Sequence, residues 1–330
     1  AYYMKYGLGK GWMGILFAVL MIITFGFAYN SVQSNTICLA WQKAFGIEPA
    51  TMGIVLTALT LLIIFGGIHR VAKFSSTVVP VMAVVYLLVA VGVVAWNITC
   101  LPKVLITIVE NAFGFNQAAG GVLGVTVIQG IKRGLFSNEA GEGSAPNAAA
   151  VATVSHPVKQ GLIQALGVFT DTLVVCSCTA FIILVSGVDV TASNGIQLTQ
   201  DALTHEIGSI GNPFVAVMIW LFAFSSIIGN YYYGETNVRY IKDTKLGVFV
   251  YRLAVAAMVM TGAVVSLDFA WSFADITMAL LTLCNLVAIV LLSRQAVFLL
   301  QDYRQQKKEG KNPVFSKDKM PDIADKLEAW

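Results

Sequence analysis

Eight runs of apolar residues set the plan of the chain, at roughly 12–38, 51–67, 76–98, 118–151, 160–187, 213–233, 247–266 and 270–294. Each is long enough to cross, or nearly cross, a hydrocarbon core about 30 Å thick as a helix. The connections are short except for 188–212. At 295 the pattern stops and QDYRQQKKEGKNPVFSKDKMPDIADKLEAW follows, a charged, soluble tail. No separate soluble domain is expected. The run at 118–151 is interrupted by charges and glycines.

Composition agrees with that solvent. Hydrophobic residues make up 57% of the 330 and charged residues 12%, with a mean hydropathy of +0.75. A soluble domain is nearer a quarter charged. The net charge of +3 carries no nucleic-acid signal. Five cysteines lack metal-ligand spacing and read as free thiols. Lys/Arg placement gives the orientation. Lys5, Lys10, Arg70, Lys73, Lys159, Arg239, Lys242, Lys245, Arg252 and the basic tail fall on one side, and only Lys43 and Lys103 on the other. Eight spans with both ends cytoplasmic satisfy every loop. The chain opens on Ala1 with no signal peptide, which suggests a fragment.

The interrupted run reads GGVLGVTVIQGIKRGLFSNEAGEGSAPNAAAVATV. It places Lys132, Arg133, Glu139 and Glu142 among Gly130, Gly134, Gly141 and Gly143. Ionisable groups in a span are costly and face a cavity or one another. Clustered glycine disfavours a continuous helix, and irregular backbone at membrane depth survives only where it is buried or lines a wet site. The region is therefore read as a broken span, its four charges acting as structural or gating pairs. A cytoplasmic loop is the plainer alternative, but it would reverse every later loop against its charges. Asp171 is expected to be paired, protonated or wet. The polar run Asn30–Thr36 suits interhelical bonding or a ligand, and Ser225 and Ser226 offer paired hydroxyl oxygens. His69, His156 and His205 are expected to be solvated. Glu110, Asn111 and Phe113 mark a short amphipathic stretch before the broken span. No nucleophile–base pair or metal set is present, so no enzyme is expected.

The segment GLFSNEAGEGSAPNAAA (134–150), with NSVQSNT around Gln33 and FAFSSIIGNYYYGE in the sixth run, resembles the sodium:alanine symporter family, also called the alanine or glycine:cation symporters. The resemblance implies an all-α polytopic membrane protein of the LeuT type, two inverted repeats with discontinuous helices. The broken helix is fourth here and sixth in that fold. Residues 1–98 would then be the last three spans of the first repeat, 99–294 the second repeat, and 295–330 a cytoplasmic tail. The first core helices would be missing, leaving about eight spans with one discontinuous helix. By the same resemblance Phe136, Ser137 and Asn138 mark the unwound point beside substrate. Gln33, Ser226 and Asn230 complete the substrate site, and Ser225 with Ser226 holds sodium. Asn230 replaces a tryptophan and leaves alanine, glycine and serine open. The implied activity is sodium-coupled symport of a small neutral amino acid across the cytoplasmic (inner) membrane, without a cofactor beyond the coupling ion. A truncated non-transporting remnant, a proton-coupled carrier and a channel are the alternatives.

Overall fold

The computed structural model describes residues 1–66, 68–113 and 120–327, with side chains described outside 68–79, 120–126 and 322–323. All regular structure among them is helical. A π-helical turn, Tyr3–Gly7, precedes α1 (Gly11–Phe45), which carries a π-helical stretch at Ile22–Tyr29 and ends where Gly46 turns left-handed at φ 67°. α2 (Pro49–Ile64) starts on a proline, whose missing N–H costs nothing in a first turn. α3 (Ile68–Trp96) and α4 (Leu101–Ala112) follow, with Pro80–Trp96 bent from α4 by 103°. Then come α5 (Gly120–Asn138), α6 (Ala145–Ala149), α7 (Pro157–Ser186, π-helical at Thr170–Cys176), α8 (Ile196–Ile207), α9 (Gly211–Ile241), α10 (Lys245–Val264), α11 (Leu267–Lys308) and α12 (Pro321–Ala324).

Every apolar run of the sequence falls on one or more of these helices. Among the described residues five stretches are long and apolar enough to cross a membrane: α1, α7, α8–α9, α10 and α11. The bent pair α3–α4 makes a sixth if counted as one, and α2 is apolar but shorter. Arg70 and Lys73, expected in a connection, fall in the first turns of α3, and their side chains lie outside the described set, as does that of His69. Glu110 and Asn111 end α4, as the amphipathic stretch predicted. The long connection 188–212 holds α8, which is docked rather than loose. Gln200 donates to the Ala40 carbonyl (2.9 Å), and Lys43 pairs with Asp201. His205 lies exposed on α8, 3.6 Å from Glu206.

Three apolar cores hold the bundle among the described residues, two of them built on α1. Phe17, Met21, Phe25 and Tyr29 of α1 pack on the small residues Ala270 and Ala274 of α11, which let helix backbones approach closely. Ile37 and Cys38 of α1 join Leu56, Ile227, Ile228, Val255 and Val259 from α2, α9 and α10. The opposite face of α11 carries Leu283, Val287 and Val290 exposed, the outward apolar face a lipid solvent calls for. The polar run in α1 joins helices. Ser34 donates to the Val259 carbonyl (2.6 Å), and Asn35 to those of Gly262 (3.1 Å) and Val265 (2.8 Å). A Cβ on Gly262 would sit 2.5 Å from the Ser31 backbone, so glycine permits the close approach these bonds need.

His156 is not solvated. It is fully buried, its Nδ1 accepts the Val158 N–H (3.2 Å) as the N-cap of α7, and its Nε2 lies 3.2 Å from Asp302. The tail is not a loose extension either. Phe315 donates its N–H to the Ser155 carbonyl (2.9 Å), Ser155 donates to the Pro313 carbonyl (2.9 Å), and Lys319 pairs with Asp302 (2.6 Å). Apolar periodicity ends at 294, yet α11 runs on to Lys308, because its last turns are held by these polar bonds. His156→Ala is expected to cost about 2 kcal/mol, a lost cap plus a lost hydrogen bond. His156→Asn, which keeps a capping oxygen, should recover part of it in a thermal melt.

Candidate functional site

α5 stops because the backbone turns left-handed. Glu139 has φ 54°, Gly141 91° and Gly143 85°. Glycine enters that region freely, whereas a glutamate does so at a cost and marks a functional candidate. The unwound stretch is therefore 139–144, one turn later than expected: Phe136, Ser137 and Asn138 form the last turn of α5. Asn138 helps end the helix, its Oδ1 accepting the Ala140 N–H (2.9 Å) while its Nδ2 donates to Thr172 (2.9 Å). Ser137 donates to Asp171 (2.6 Å), a hydrogen-bond partner for the carboxylate expected to be paired, protonated or wet. Both partners sit in the π-helical turn of α7, a local widening common at functional sites.

The four charges, read as structural or gating pairs, find their partners on other residues rather than on one another. Lys132 (3.2 Å) and Arg133 both pair with Asp275 of α11, and the Arg133 guanidinium lies 4.0 Å from the Trp271 ring centroid. Glu139 accepts from Ser144. Glu142 is fully buried; Oε1 accepts from Tyr29 (2.7 Å), and Oε2 has no hydrogen-bond partner among the described residues. The cations sit six or more residues before Glu139, about 9 Å up the helix, and so reach a neighbouring helix instead. Phe136, half-buried, lies between the rings of Tyr29 and Trp271, each centroid 4.6 Å away and tilted to it.

Two helices clamp the unwound backbone. Asn285 of α11 donates to the Gly141 carbonyl (2.8 Å) and accepts from Tyr3. Asn237 of α9 donates to Asn147 (3.2 Å), which itself donates to the Gly143 carbonyl (3.2 Å). A cavity of about 770 Å³ opens at the break, lined by Ser137, Asn138, Glu139, Asp171, Tyr233 and Asn285 among others. Gln33, Ser225, Ser226 and Asn230 do not line it. Ser225 and Ser226 donate to the Phe222 carbonyl (2.8 and 3.1 Å) within unbroken α9, and Asn230 is buried with its Nδ2 unpartnered among the described residues. Gln33 is half-buried on α1. The structure thus brings Ser137 and Asn138 to the cavity and leaves the other four on α1 and α9. Asp275 and Asn285 escaped the sequence reading, although each is a polar residue inside the run 270–294, the same signal that singled out Asp171.

Long apolar helices with lipid-type outer faces, gathered round a helix that breaks over a cavity holding a few polar groups in a largely apolar lining, define a multi-pass membrane protein. The profile of the sodium:alanine symporter family matches residues 1–317, so the chain belongs to that family, one of transporters and not of enzymes. It is 55% identical to the probable sodium/glutamine symporter of Bacillus subtilis, over 96% of this chain and 67% of that protein. It is 50% identical to an amino-acid carrier protein of the same organism, over 100% and 70%. It is 36% identical to the sodium/alanine symporter of Methanococcus maripaludis, over 93% and 68%.

Proposed function

We propose that the protein carries a small neutral amino acid, alanine or glycine, across the cytoplasmic membrane together with sodium. The observation that carries this reading is the break at 139–144, which opens unwound backbone onto a cavity of about 770 Å³ in a member of a symporter family. Free carbonyls at the end of α5 suit a cation or an ammonium group, and Ser137 and Asn138 stand beside them. Ser225 and Ser226 are the proposed sodium ligands. Each spends its O–H on the Phe222 carbonyl and keeps lone pairs on its oxygen. Gln33, Phe136, Ser226 and Asn230 would complete the substrate side. The proposed arrangement is of the LeuT type, with eight spans and both ends cytoplasmic, 1–98 belonging to the first repeat, 99–294 forming the second, and 295–330 the tail. A sodium ion crossing the field contributes about 2.3 kcal/mol per 100 mV, enough to concentrate a neutral substrate.

Glutamine is the second reading. A relative at 55% identity is called a probable sodium/glutamine symporter, and the cavity is lined by the amide side chains Asn138, Gln164 and Asn285. The test is uptake of labelled alanine into proteoliposomes with and without an inward sodium gradient. Sodium-dependent uptake that glycine competes away supports the first reading. Strong competition by glutamine together with weak competition by glycine favours the second. Uptake driven by a proton gradient alone, or none for any neutral amino acid, would sink both.

A further inference from the structure

At the turn between α9 and α10 lies a separate cavity, of about 460 Å³. Three cations line it, Arg239, Lys245 and Arg252, against one carboxylate, Asp243; Val248 and Phe249 form its apolar wall. The cations are placed by the fold. Arg252 is largely buried, its Nε donating to the Tyr231 hydroxyl (2.9 Å) and one amino group to Glu235 (3.3 Å), over the Phe65 ring at 5.3 Å. Arg239 is held by Glu235 (2.7 Å) and Asp243 (2.8 Å). A guanidinium has five N–H donors in a fixed fork, so both arginines retain donors for the cavity. Lys245 is exposed, and no acidic partner holds it among the described residues.

We infer that this cavity binds the phosphate headgroup of an anionic phospholipid. Convergent Arg and Lys donors match phosphate oxygens, and basic pockets between spanning helices are suited to such headgroups. The surface beside the cations selects a lipid over a soluble anion. Leu246, Phe249, Val250 and Leu253 are exposed on α10, with Phe65, the residue that caps the end of α2, edge-on to Phe249 at 5.9 Å. Acyl chains would lie on that apolar strip while the phosphate enters the cavity, so one molecule satisfies both features. Inorganic phosphate would satisfy only the first.

The test uses native mass spectrometry of the whole protein titrated with phosphatidylglycerol or phosphatidylcholine, and separately with inorganic phosphate. Wild type is expected to retain phosphatidylglycerol in preference to phosphatidylcholine. Lys245→Glu, an exposed change that breaks no bond in the fold, should weaken that retention by about tenfold. Lys308→Glu, the same charge change on the tail, serves as the control and should leave retention near wild type. Equal weakening by both variants would reduce the effect to net charge and overturn the site, as would retention untouched by Lys245→Glu. Inorganic phosphate displacing the lipid at matched concentration would assign the cavity to a free anion and overturn the lipid assignment.

Discussion

Gly143→Ala is expected to cost about 3 kcal/mol and to abolish transport. Two independent terms produce it. The backbone at 143 has φ 85°, where a side chain costs about 1–2 kcal/mol. The new methyl would also lie 2.8 Å from Asn285 Cγ and 2.8 Å from Phe17 Cζ, an overpacking that costs about 1–3 kcal/mol. Neither neighbour can step aside freely. Asn285 holds the Gly141 carbonyl and Tyr3, and Phe17 is fully buried. Gly141→Ala is the internal control, since its φ is 91° but its Cβ would meet Leu286 and Thr282 no closer than 3.5 Å. It should show the backbone term alone. Melting of the solubilised protein and alanine uptake are the readouts, and equal losses in the two variants would disprove the packing argument.

The second large effect is expected at Asp275. Its side chain is 17% exposed, against 41% for Lys132 and 38% for Arg133. Asp275→Ala would strand two cations, one pressed against Trp271. Stranding a fully buried charge costs about 3–5 kcal/mol. The partial exposure of both cations lowers the expectation to about 2 kcal/mol. Because the pair ties α5 to α11 above the break, uptake should fall as well. A double-mutant cycle with Arg133→Met checks the mechanism. The second change should recover stability in the Asp275→Ala background and lose it in wild type, with a coupling of about 1 kcal/mol or more. Additive losses would mean that the carboxylate acts through something other than the cations.

How far the candidate site was legible depends on whether a residue's role is local. The break could be read from the chain, because glycines and charges inside an apolar run are incompatible with an ordinary span. Its position could be read only to within a turn: the left-handed residues begin at Glu139, and nothing local to Phe136 distinguishes the turn before from the turn after. That Asp171 must be paired, protonated or wet follows from cost alone, but which of these holds, and its partner Ser137, does not. The four charges read as structural or gating pairs, facing a cavity or one another, and nothing along the chain names a partner for them. In the structure α11 presents Asp275 to the cations and α1 presents Tyr29 to Glu142.

His156 shows the opposite failure. A histidine beside a proline at a connection reads as wet, and only the return of the tail across it, with Asp302, Phe315 and Lys319, takes it out of water. The sequence by itself determined the solvent, the helices, the broken run and the family, because hydropathy, helical length and a local motif are written along the chain. The tertiary structure alone decided which polar side chains meet, since partners 34 to 282 positions apart are brought together by packing between helices, and no periodicity records that choice.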